Sequence, residues 1–246
     1  MNKLFKVFAM AVMLIMGGQA MAQTHGTMFF GVSFPMKDFG DGSNFTGTAL
    51  GSLDKDGGAG IGFNGGLKWD FGVGVPGLSV MLSIDGFYNG PSADLKSYYK
   101  TVQTDMETWC DNVTVTSPKY INAPAMLGLK YCFYLNSQFG IYAEAGAGGN
   151  WRFITDYTQK GTSKILKLKN TTEYDFENAL SFAWQAGVGI EVSKKLIIGC
   201  SLYDLGGADV KGELSNVAEG VTMPTASFEH GTLHPMIVLG RIGFKF

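Results

Sequence analysis

Eight stretches of this 246-residue chain alternate apolar and polar side chains with a period of two, and no charge falls on the apolar parity. They span residues 26–34, 60–71, 78–88, 120–134, 139–153, 179–191, 195–203 and 235–246. Period two is the repeat of a strand with two unlike faces. One face reads Met28, Phe30, Val32, Phe34 in the first stretch and Leu78, Val80, Leu82, Ile84 in the third. The other carries every strand charge: Lys68, Asp70, Asp85, Lys130, Glu144, Arg152, Glu191, Lys195, Arg241 and Lys245. Glycines share that second face, among them Gly128, Gly146, Gly187 and Gly243.

A soluble sandwich alternates as well, with its apolar face inward. Loop lengths separate the two cases. The connections run long, short, long, short, long, short, long: 35–59, 72–77, 89–119, 135–138, 154–178, 192–194 and 204–234. Short turns at one end and long loops at the other are the pattern of an outer-membrane barrel, whose apolar face meets lipid. Aromatic residues fall at the two ends of the apolar face. Trp69, Phe71, Phe133, Phe139, Phe244 and Phe246 lie near the short turns, and Trp151, Phe153 and Phe182 near the long loops. Two such girdles suit the two headgroup levels of a bilayer. The expected fold is therefore all-β: an eight-stranded antiparallel up-and-down transmembrane β-barrel with four long external loops and three short periplasmic turns.

Composition agrees. Thirty-five glycines and only 16% charged residues depart from ordinary soluble usage. A net charge of −2 gives no reason to expect a nucleic-acid partner. The longest apolar run, Val7 to Met16, is half of what a spanning helix needs, roughly 20 residues. With Lys3 and Lys6 before it and Ala20-Met21-Ala22 after it, residues 1–22 read as a signal peptide, leaving 23–246 as the barrel domain. Cys110, Cys132 and Cys200 are an odd count, and two of them sit on opposite strand faces, so no disulfide framework or metal site is expected.

This layout resembles the small outer-membrane β-barrels of the OmpA/OmpX type and the broad porin-like, PorT-like outer-membrane β-barrel domain family. The resemblance covers essentially all of residues 23–246. Its local carriers are Glu144-Ala145-Gly146-Ala147-Gly148, Gln185-Ala186-Gly187-Val188-Gly189 and the closing Arg241-Ile242-Gly243-Phe244-Lys245-Phe246. The resemblance implies that Phe244 and Phe246 act as the signal read by the barrel-assembly machinery, although Gly240 stands one position from the family's usual glycine. It also implies a structural role in the outer membrane, in contact with membrane lipid and lipopolysaccharide, with the loops open to an extracellular ligand. The alternatives are a narrow porin-like channel for ions or small polar solutes and a surface adhesin.

Eight strands enclose a space that side chains largely fill. The inward charges are thus expected to form a buried network that plugs the lumen. A hairpin centred on Ser137 sets Lys130 opposite Glu144, and one centred on Ser193 sets Glu191 opposite Lys195, within ion-pair reach. A charged interior argues against an acyl-chain groove and a hydrophobic-solute channel. His25 is expected at the periplasmic N-terminus. His230 and His234, near Glu229, are the histidines with a neighbouring carboxylate in sequence. They lack an adjacent nucleophile, and no enzyme, cofactor or metal is expected. Asp54-Lys55-Asp56-Gly57-Gly58 lacks the remaining ligands of a calcium loop. In loop 3, Lys160, Lys164, Lys167 and Lys169 alternate with Ile165 and Leu168, which suggests strands continuing above the membrane. Trp109 and Cys110 in loop 2 mark a contact surface or a small tucked core.

Overall fold

The structure, a computed structural model, describes residues 24–41, 57–219 and 221–246, without the side chain of His230. The proposed signal peptide and Asp54 to Asp56 lie outside these residues. Eight strands close into an antiparallel barrel. They are β1 (Thr24–Met36), β2 (Ala59–Gly72), β3 (Leu78–Pro91), β5 (Tyr120–Tyr134), β6 (Phe139–Ile154), β9 (Ala179–Val192), β10 (Leu196–Asp204) and β14 (Met236–Lys245). The shortest has nine residues and the longest sixteen, so each meets the length of about 9–11 that a tilted strand needs to cross a bilayer. Each pairs with its sequence neighbour in the barrel, and β1 pairs with β14 to complete the ring. Closure leaves no sheet edge in that ring, which is what hydrocarbon demands.

The alternating parity becomes the barrel's two surfaces. Phe30, Ile61, Phe63, Leu129, Ile141 and Ile242 are exposed on the outside, while Lys68, Asp85, Lys130, Glu144 and Arg241 are buried within. The β5–β6 hairpin is centred on Ser137, and Lys130 faces Glu144 as its register partner. The β9–β10 hairpin differs from expectation. Ser193 and Lys194 both adopt positive φ, the turn centres on Lys194, and Glu191 faces Ile197. Lys195 is left exposed in the turn and takes no part in the interior.

The long loops are folded. Loop 2 holds an α-helix, α1 (Ala93–Trp109), followed by β4 (Cys110–Val115). Ser92 caps α1 by accepting from the Leu95 N–H, and Leu95 and Tyr99, one helical turn apart, give it a buried side. Loop 3 forms the hairpin β7 (Tyr157–Ser163) and β8 (Lys169–Phe176). Loop 4 supplies β11 (Ala208–Ala218), β12 (Val221–Thr222) and β13 (Ala226–Leu233). These strands form a second sheet, ordered β12-β11-β8-β7-β4 with β13 on β11. The loop 3 strands thus continue outward, but after a break and within a sheet of their own. No described helix is long and apolar enough to cross a membrane.

Candidate functional site: a two-layered lumen

The lumen is filled in two layers of opposite chemistry. The periplasmic half is ionic. Glu144 lies between Lys68, 2.7 Å away, and Arg241, which donates to its other oxygen. Lys130 donates to Asp70 at 2.8 Å and lies 3.9 Å from Glu191, which also accepts from Lys245. The register neighbours Lys130 and Glu144 are therefore not each other's ion-pair partners; each reaches across the lumen to another strand. Glu191 pairs with Lys245 in place of the expected Lys195. Four carboxylates (Asp70, Asp85, Glu144, Glu191) share this layer with four cations (Lys68, Lys130, Arg241, Lys245), so it carries no excess charge. Balance matters, because an unpaired charge in such a place costs several kcal/mol, roughly.

Tyr142 divides the ionic layer. The ammonium groups of Lys68 and Lys130 lie 5.4 and 4.9 Å from its ring centre. Its hydroxyl fits against the facing pair Gly189 and Gly199, where an added Cβ at either position would collide with that oxygen. Here glycine supplies space for a ring. Below this layer a cavity of 610 Å³ opens at the periplasmic mouth, lined by His25, Cys132, Tyr134, Lys194 and the β2–β3 turn.

The external half is mostly apolar, contrary to the expectation of a charged interior throughout, with Asn89, Asn122 and Asn150 buried among the apolar side chains and Asn150 donating to Asn122 at 3.0 Å. Phe87, Tyr120, Tyr203, Ile237 and Leu239 point inward from the strands. They join Phe39 from loop 1, Leu95 and Tyr99 from α1, Tyr157 from β7 and Leu205, Val210 and Leu233 from loop 4. Phe39 packs edge-on against Tyr120, and the Tyr120 hydroxyl donates to the Gly57 carbonyl. Tyr99 and Tyr157 rings lie 4.9 Å apart. Burial raises the Tyr99 and Tyr174 phenols and pushes Tyr157 up to about 12. Tyr203 joins the layers: its ring packs on Phe87, while its hydroxyl donates to Asp85 and accepts from Arg241, each at 3.3 Å.

Arg152 is buried among backbone acceptors. It donates to the carbonyls of Leu233, Ala208 and Asp209, bolting loop 4 to the barrel wall. These upper residues were missed in sequence because the parity rule was applied to charges. Phe87, Tyr120, Tyr203, Ile237 and Leu239 all occupy the inward parity near the long-loop ends. That local change from charged to aromatic was the available signal.

Other candidate residues separate. His234 lies 2.6 Å from Asp204 instead of meeting Glu229, which pairs with Lys211. The carboxylates of Asp156, Glu173 and Asp175 lie within 4.8 Å of one another at the base of loop 3, a donor set of hard oxygens with the chemistry to hold a cation. Partial burial, then repulsion from Asp175, raises the Asp156 carboxyl. Cys110, Cys132 and Cys200 are free thiols.

The outer wall decides the setting. Exposed Phe30, Phe63, Ile84, Leu129, Ile141, Val188 and Ile242 surround the barrel between its two ends. At the short-turn end stand Trp69, Phe71, Phe133, Phe139, Phe244 and Phe246, and at the long-loop end Trp151, Phe153 and Phe182, all on this outer face. An apolar band of this kind closes on itself around the molecule and has no aqueous counterpart.

The chain is a membrane-spanning β-barrel.

No family model and no curated protein matches its sequence. Among solved structures it is similar to Ail, the attachment invasion locus protein of Yersinia pestis, at 14% identity, over 91% of this chain and 99% of that one, with a TM-score of 0.37. It is also similar to the outer membrane protein OprG from Pseudomonas aeruginosa, at 12% identity over 91% and 94%, TM-score 0.40. A third is a major outer membrane protein from Thermus thermophilus, at 10% identity over 91% and 100%, TM-score 0.46.

Proposed function

We propose that this protein is an integral outer-membrane barrel that does not conduct and that holds a folded interaction layer at the cell surface. In this reading residues 1–22 direct export, the aromatic girdles seat the barrel in lipid and lipopolysaccharide, and Phe244 and Phe246 serve the barrel-assembly machinery. The interior charges Lys68, Asp70, Asp85, Lys130, Glu144, Glu191, Arg241 and Lys245 act as a structural plug. The observation that carries the reading is the double closure of the lumen: a balanced ionic layer below and an aromatic layer above, with loops invested in the upper seal. A conducting path needs a continuous polar, water-accessible lining, and the upper layer interrupts one.

The external layer supports the second half of the reading. Trp109, Ile165, Leu166, Val221 and Met223 are exposed along it. They are held there by ordered backbone, with the Lys164 N–H donating to the Trp109 carbonyl and the Met223 N–H to that of Asn216. Large apolar side chains on a rigid surface are what contact with a partner uses. The test is single-channel recording of the refolded barrel in a planar bilayer, with folding checked by its heat-sensitive gel mobility. A silent bilayer is expected. Discrete, reproducible current steps would overturn the reading in favour of a pore.

A further inference from the structure

The outer sheet ends in a tip that the barrel does not use. At the base of the sheet, Tyr157 of β7 and Tyr174 of β8 belong to the apolar layer over the lumen. From that pair the two strands stay in register to Thr162 opposite Lys169. Five further rungs at about 3.3 Å each place the far end roughly 17 Å beyond the base. Three tips are tied together there. In the β7–β8 turn the Lys164 N–H donates to the Trp109 carbonyl at the end of α1, at 2.9 Å. In the β11–β12 turn the Glu219 N–H donates to the Lys169 carbonyl, also at 2.9 Å, and Lys167 reaches Asp111 of β4 at 3.6 Å.

Charge is segregated along the β7–β8 hairpin. Asp156, Glu173 and Asp175 stand at its base, whereas Lys160, Lys164, Lys167 and Lys169 occupy the far half, with no carboxylate between residues 157 and 172. Glu107, Asp111 and Glu219 of the adjoining tips come close to balancing these lysines. What the end of the sheet presents is therefore apolar surface flanked by ammonium groups. Trp109, Ile165, Leu166 and Val221 are 69%, 80%, 67% and 68% exposed, one or two from each tip.

The size and place of this surface select its occupant. A stable protein interface takes about 20–30 residues a side, and four large side chains at the ends of three connections fall far short of that. Lipid accepts apolar side chains one at a time, Trp suits the headgroup level, and lysine stems reach from there to phosphate. The barrel's own bilayer ends at the girdle of Trp151 and Phe182, on the other side of the sheet's base. The bilayer in reach of the tip is a second one.

We propose that the tip inserts Trp109, Ile165, Leu166 and Val221 into the headgroup region of a second phospholipid bilayer apposed to the cell surface, with the neighbouring lysines at its phosphates. This rests on the folded interaction layer of the proposed function and names what that layer meets.

The test holds the refolded barrel in phosphatidylcholine nanodiscs, adds separate phosphatidylcholine vesicles and separates the two by flotation. The expected result is at least five-fold more floating with the vesicles than for empty discs. The triple variant Trp109→Ser, Ile165→Ser, Leu166→Ser should fall to the empty-disc level. Its folding is first checked by gel mobility, and Ile165→Ser, Leu166→Ser alone is the fallback if the triple variant does not fold. Vesicles of brominated phosphatidylcholine should quench tryptophan fluorescence, and Trp109→Phe should abolish the quench, because Trp69, Trp151 and Trp184 lie on barrel strands. No flotation above the empty discs overturns the proposal, as does flotation or quenching that survives the substitutions. A Trp109 quench by brominated lipid placed in the disc itself overturns the second bilayer in favour of the barrel's own. Discs that pair with one another without vesicles overturn it in favour of a second copy of this chain. A channel in the planar-bilayer recording would overturn the non-conducting reading and leave the flotation unchanged, so the two fail separately.

Discussion

The two halves of the lumen solve one problem with opposite chemistry. Below, Glu144 is held by Lys68 and Arg241, and Lys130 by Asp70 and Glu191. Each of these groups depends on partners from other strands, so the layer ties the barrel across its diameter. Above, Phe39, Phe87, Leu95, Tyr99 and Tyr120 exclude water by packing, and Phe39, Leu95 and Tyr99 come from loops. The difference teaches where each kind of cohesion is usable. Ion pairs need fixed geometry, which the closed ring supplies. Segments that arrive from four separate loops are better joined by non-directional apolar contact.

The sharpest way to break this comparison is at Glu144. Glu144→Ala leaves Lys68 and Arg241 facing each other without their carboxylate, and the expected loss is about 3–5 kcal/mol. Urea unfolding of the refolded barrel measures it; an unchanged midpoint would mean that the ionic layer is dispensable. In the upper layer, Leu95→Ala removes a buried side chain of α1, with an expected cost of about 2–5 kcal/mol. That loss should appear as faster amide exchange in α1 and the outer sheet, while the ring below keeps its protection. Exchange that rises equally in both halves would show a single cooperative unit.

A smaller effect is expected from Ser92→Ala, which deletes the cap of α1 at about 1 kcal/mol. Its signature is local exchange in the first turn. The smallest concerns Asp156. Because its folded carboxyl is raised by burial and by Asp175, the native state binds that proton more readily than the unfolded chain does. Stability therefore falls as pH rises from the ordinary carboxylate value through the raised one. Asp156→Asn removes that penalty, giving a gain within about 0.5 kcal/mol at neutral pH that disappears below the ordinary carboxylate range. Midpoints that differ equally at low and neutral pH would refute this account.

The ring was legible because each barrel strand has to satisfy lipid on one side and a crowded lumen on the other. A parity slip would put Lys68 or Arg241 into hydrocarbon. Turn geometry was less legible. Lys195 has inward parity, yet two positive-φ residues, Ser193 and Lys194, make a turn that leaves it outside. The helix in loop 2 was missed because Leu95 and Tyr99 are its buried contacts, too few to stand out as a helical repeat.

Sequence alone determined the number of barrel strands, which parity faces lipid, which end carries the long loops and which charges enter the lumen, Lys195 excepted. These follow from local periodicity, which every residue reports independently. Only the tertiary structure decided which charge meets which, because partners such as Lys68 and Glu144 are 76 residues apart and face each other only across the closed ring. It also decided that an apolar layer seals the upper lumen, since Phe39, Tyr99, Tyr157 and Leu233 have no shared pattern in the chain and become one layer only when four loops fold over the same opening.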